Sequence, residues 1–101
     1  MIRFEMDDLH ILNWPSLSYH YIINSFSQFN TILSIATNIT FENGVGNDEE
    51  ITSLNFARFI FLQQINIMDN SLNNVKKIIT NHLKYLKTIN IGENCLNSIE
   101  Q

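Results

Sequence analysis

Apolar residues return every three or four positions through most of the chain. Between Leu17 and Thr37, Ile22, Phe26, Phe29, Leu33 and Ala36 fall at spacings of four and three, with His20, Asn24, Ser27, Thr31 and Ser34 on the other side. That is the stripe of an amphipathic helix, and Ser16 or Ser18, just after Pro15, is placed to cap it. From Asp48 to Met68 a second run carries Ile51, Leu54, Phe61, Leu62, Ile65 and Met68 on one face. Phe56, Ile60 and Ile67 form a second face, which predicts a helix packed on two sides. A third run over 71–88 shows Leu72, Val75, Ile79, His82, Leu83 and Leu86, and it ends before Gly92, a residue suited to a left-handed cap.

Two segments depart from the helical period. Ile35 to Phe41 partly alternates and is rich in β-branched residues, which predicts that the first helix gives way to a short strand. Ile2, Phe4 and Met6 alternate in the same way and would be its pairing partner. Glu42-Asn43-Gly44-Val45-Gly46-Asn47 is the clearest loop, since Gly and Asn adopt positive φ at low cost. The fold expected from these patterns is mainly α: one domain over 1–101, a small bundle of three main helices (17–37, 48–68 and 71–88) with the second central. A short N-terminal strand pair and a short C-terminal helix through Leu96 and Ile99 complete it. No internal repeat is read from the sequence.

Composition narrows the function classes. The chain has 101 residues, 45% hydrophobic and 16% charged, which suffices for a core and disfavours intrinsic disorder. Its single cysteine, Cys95, forms no internal disulfide, so a reducing, cytoplasmic setting is the expectation. Neither a signal-peptide pattern nor a membrane-length apolar run is read. The net charge of −4 is distributed unevenly: residues 1–51 sum to −6 and residues 52–101 to +2. Between Asp8 and Glu42 no Asp, Glu, Lys or Arg occurs.

Candidate chemistry is sparse. His10, His20 and His82 lack ligand-like spacing, so neither metal nor cofactor is expected. Asp48, Glu49 and Glu50 lie at a predicted helix start, where they favour the positive end of the dipole, and they would repel phosphate from the neighbouring Gly44-Val45-Gly46. Lys76, Lys77, Lys84 and Lys87 fall on one side of the third predicted helix, a stripe able to meet phosphate but without Arg or interleaved aromatic rings. Interface centres are depleted in charge and enriched in aromatic residues, which points to the charge-free interval and to Trp14, Tyr19 and Tyr21 within it.

The expectation from sequence is therefore a non-enzymatic protein-binding module. Its concrete form is a neutralising inhibitor of the immunity-protein or antitoxin type, blocking a basic toxin or nuclease through Trp14, Tyr19, Tyr21, Asp48, Glu49 and Glu50. The alternatives are a nucleic-acid-associated helical protein using the lysine stripe, or a phage accessory protein.

Overall fold

The computed structural model describes residues 18–99. It replaces the expected helical bundle with a parallel β-solenoid, a chain wound in coils that each lay down one strand beside the last. Six strands are present among the described residues: β1 His20–Ile23, β2 Asn38–Phe41, β3 Ser53–Asn55, β4 Gln64–Ile67, β5 Lys77–Ile79 and β6 Thr88–Ile91. β1, β2, β4 and β6 make a four-stranded sheet in that order, while β3 and β5 make a two-stranded one. Every pairing is parallel. The only helical segment described is a 3₁₀ turn, Phe26–Thr31.

The coils repeat in sequence as well as in space. Gln64 pairs with Thr88 and Ile67 with Ile91, so the last two coils are offset by 24 residues. Within them, Leu62-x-x-Ile65-x-Ile67-x-x-Asn70-x-Leu72 returns as Leu86-x-x-Ile89-x-Ile91-x-x-Asn94-x-Leu96, an internal repeat that the sequence reading missed. β2, β4 and β6 are each preceded by the same tight turn: Ala36 N–H donates to the Leu33 carbonyl, Leu62 to Phe59 and Leu86 to Leu83. After the strands, Asn70 and Asn94 both take positive φ, 63° and 58°, a region that asparagine tolerates better than most residues.

The three predicted helices dissolve for one reason. A coil that turns inward every third residue brings apolar side chains to the core at a spacing close to the 3.6-residue helical period, so 17–37, 48–68 and 71–88 imitate helix stripes. The faces assigned on that basis are only partly right. Phe29, Ala36, Leu54, Phe56, Leu62, Ile65, Ile67, Leu72 and Val75 are buried, whereas Ile22, Leu33, Ile60 and Met68 are exposed. His82 stands exposed in a turn at φ 67°, not on an apolar helix face. The strand expected near 35–41 is present as β2, but its proposed partner at 2–6 lies outside the described residues. Glu93 to Ile99 forms turns and no helix.

Inward positions of the strands stack into rows: Tyr21, Ile39, Ile65 and Ile89 in one, and Ile23, Phe41, Ile67 and Ile91 in the other. Beside them Phe29 lies at ring-centroid distances of 5.5 to 5.7 Å from Phe41, Phe56 and Phe59. Arg58 closes this aromatic cluster from outside, its guanidinium 4.2 Å above the Phe59 ring and donating to the Phe29 carbonyl at 2.9 Å. The two buried polar side chains among the described residues are satisfied: Thr37 Oγ1 accepts from Tyr19 N–H at 2.8 Å, and Ser71 Oγ donates to the Glu42 carbonyl at 2.8 Å.

Candidate functional site: the outer face of the four-stranded sheet

Alternation along a strand sends every second side chain outward. Register then sorts the outward residues of four strands into two rows: His20, Asn38, Gln64 and Thr88, and Ile22, Thr40, Asn66 and Asn90. None of the eight is Asp, Glu, Lys or Arg. Seven are polar, and Ile22 is the exposed apolar member at the β1 end.

Five of the polar members, Asn38, Thr40, Gln64, Asn66 and Asn90, are wired to one another. Asn38 Nδ2 donates to Gln64 Oε1 at 3.0 Å, and Gln64 Nε2 donates to Asn66 Oδ1 at 2.9 Å. Asn66 Nδ2 donates to Thr40 Oγ1 at 3.1 Å, while Asn90 Nδ2 donates to Asn66 Oδ1 at 2.8 Å. Cross-strand bonding of this kind holds rotamers in place before any ligand arrives, which lowers the entropy lost on binding. Each primary amide bonded once still has donor or acceptor capacity to offer. The face is therefore an uncharged, ordered array of amide and hydroxyl groups, able to meet backbone or polar side chains of another molecule.

The residues singled out from sequence are dispersed. Trp14 lies outside the described residues. Tyr19 precedes β1, and both its N–H and its carbonyl are engaged with Thr37. Tyr21 is half-buried and turned inward against the core, so it does not share the outward row of its neighbours His20 and Ile22. Asp48, Glu49 and Glu50 are exposed on the connection between β2 and β3, not at a helix start. Coil length changes there: the offset is 26 residues from Phe41 to Ile67 but 24 from Ser53 to Lys77, so the acids sit in a connection two residues longer than its counterpart.

The lysine stripe does not form, because it presupposed a helix. Lys77 belongs to β5 in the two-stranded sheet, Lys84 lies in a turn, and Lys87 precedes β6 beside the other sheet. Cys95 is half-buried and donates to the Met68 carbonyl at 2.7 Å, the same place in the preceding coil that Ser71 reaches in its own. Among the described residues no group of three His, Cys, Asp or Glu is placed to hold a metal ion, and no helix is long and apolar enough to cross a membrane.

The sequence signal for the outward face was the 24-residue recurrence, which places Gln64 over Thr88 and Asn66 over Asn90; a reading by helical period cannot see it. No family model, curated protein or solved structure matches the chain.

Proposed function

We propose that this chain is a solenoid of the leucine-rich-repeat kind that works as a protein-binding module, with the outer face of its four-stranded sheet as the contact surface. The supporting observation is the bonded, charge-free array from Asn38 to Asn90, which coincides with the repeat Leu62-x-x-Ile65-x-Ile67-x-x-Asn70-x-Leu72 and its copy at 86–96. Repeats of this pattern line one side of a coil stack with strands, and coil stacks of this class bind through extended surfaces. Within this reading the neutralising inhibitor of a basic partner remains the concrete form. Asp48, Glu49 and Glu50, exposed beside the stack, supply long-range attraction, while the uncharged face supplies the desolvated centre.

The test places a photo-crosslinking amino acid at position 40 or 66 on the outer face, and at position 60 or 76 elsewhere on the surface. Adducts with one discrete partner are expected from 40 and 66 alone. With that partner purified, neutralising the three acids should slow association and flatten its salt dependence, whereas Asn66→Arg should speed dissociation. Crosslinking from 60 and 76 but not from 40 and 66 would move the contact surface off this sheet.

A further inference from the structure

The two inward rows end differently at the two ends of the sheet. Ile39 and Ile65 are at most 1% exposed, but Ile89 in the same row is 44% exposed; Phe41 and Ile67 are likewise covered, and Ile91 is 54% exposed. Ile78, Leu96 and Ile99 line the same hollow, so the last described coil presents an apolar surface. The edge of β6 is open as well. Thr88 N–H and Gly92 N–H donate back to the Gln63 and Ile67 carbonyls of the previous coil. By strand alternation Ile89 and Ile91 then turn their own N–H and C=O groups away from β4, and among the described residues no strand pairs with them. Open edges of this kind accept another strand.

The sequence of this edge states which strand fits. Lys87-Thr88-Ile89-Asn90-Ile91-Gly92-Glu93 is self-complementary about Asn90. Laid antiparallel against itself with Asn90 opposite Asn90, it sets Ile89 opposite Ile91 and Lys87 opposite Glu93, at both ends. The hydrogen-bonding parity agrees. Ile89 and Ile91 present the free backbone groups, so they form the two hydrogen-bonded pairs, and Asn90 falls at the closely spaced non-hydrogen-bonded pair between them. Charges that merely protect an edge would serve equally well with one sign; opposite signs, spaced evenly about a centre, make self-pairing attractive. Such a contact is isologous and closes at two copies, unlike head-to-tail stacking, which grows without limit.

We propose that a second copy of this chain covers the open end, pairing β6 to β6 antiparallel about a two-fold axis at Asn90 and joining two four-stranded sheets into one of eight. The proposal does not depend on what binds the outer face.

Sedimentation equilibrium and light scattering on the full chain should give a dimer at tens of micromolar. A monomer at every concentration, or oligomers that grow beyond two, would overturn the proposal. Lys87→Glu sets like charges opposite each other twice and should weaken the dimer about tenfold, as cross-strand pairs reverse sign. Lys87→Glu combined with Glu93→Lys should restore it. Two swapped variants that keep the wild-type circular dichroism but show no loss and rescue would show that this register is wrong. In a Cys95→Ser background, Asn90→Cys should form a disulfide-linked dimer under mild oxidation, because the paired Cα atoms sit at about 4.5 Å, within reach of a disulfide. Thr88→Cys, whose counterpart is position 92, should not; crosslinking through 88 in preference to 90 would also overturn the proposal.

Discussion

Ser71 is the residue on which the order of the turn after β4 depends. Fully buried, it carries its hydroxyl to the Glu42 carbonyl of the preceding coil at 2.8 Å. Ser71→Ala would remove one of the two bonds that carbonyl accepts, Val45 N–H supplying the other at 3.2 Å, and the loss of one such bond costs about 0.5 to 1.5 kcal/mol. Ser71→Cys should be far milder, because Cys95 already performs the equivalent reach to the Met68 carbonyl one coil later. Urea midpoints of the two variants check the ranking, and equal losses would mean that volume, not the bond, governs the site. Gly46 is another position fixed by its surroundings: its φ is 76°, and an added Cβ would come within 2.5 Å of Leu72 Cδ2. That much was legible in sequence, where Gly44 and Gly46 marked a turn with positive φ, and both glycines have it. The bond from Ser71 was not legible, since it spans 29 residues and nothing local announces it.

At the scale of the strand, burial depends on the neighbouring coil and not on residue type. Ile65 and Ile89 occupy the same place in successive coils, yet one is 1% exposed and the other 44%. Ile65→Ala should therefore cost about 2 to 5 kcal/mol, the range for emptying a closed core site, and Ile89→Ala much less. Chemical denaturation in the Lys87→Glu background isolates the comparison from self-association. Similar losses at both positions would show that the last coil is covered as well as the one before it. The same pair explains what sequence pattern could and could not deliver. Ile65, Ile67, Ile89 and Ile91 alternate as strand residues should, but each pair is only two turns of the period and is flanked by Phe59, Leu62, Leu83 and Leu86 at spacings of three. Those flanking residues outvoted the alternation and gave helices. The strand at 38–41 survived because Ile39, Thr40 and Phe41 follow another β-branched run without a competing stripe. One warning sign was present in the segment 48–68, whose apolar residues required two opposed helix faces; Leu54, Phe56, Leu62, Ile65 and Ile67, drawn from both of those faces, all turn into one core, while Ile60 and Met68 are exposed. The outward face escaped notice because Asn38, Gln64, Asn66 and Asn90 carry no charge or motif, and only register brings them together.

At the scale of the molecule, stability is carried between successive coils. β1 contacts β2, β2 contacts β4, β4 contacts β6 and β3 contacts β5, so that each coil leans on the one before it and the one after. In stacks of this kind stability is close to a sum of unit and neighbour terms, in contrast to a globule whose first and last residues share one centre. This arrangement has a mechanical consequence. If the two ends of the chain are held and drawn apart, load is passed from coil to coil, and the coil bearing β6, which among the described residues pairs on one side only and whose Ile89 and Ile91 are the most exposed of the inward rows, should yield first. Extended chain spans about 3.3 to 3.6 Å per residue, so releasing the 24-residue coil lengthens the tether by about 80 Å. The 26-residue coil behind it should give about 90 Å, and the 18-residue coil from β1 to β2 about 60 Å. A force-extension trace recorded in an optical trap would thus read out the winding of the chain as separate steps of about 80, 90 and 60 Å, and one undivided jump would mean that the coils let go together.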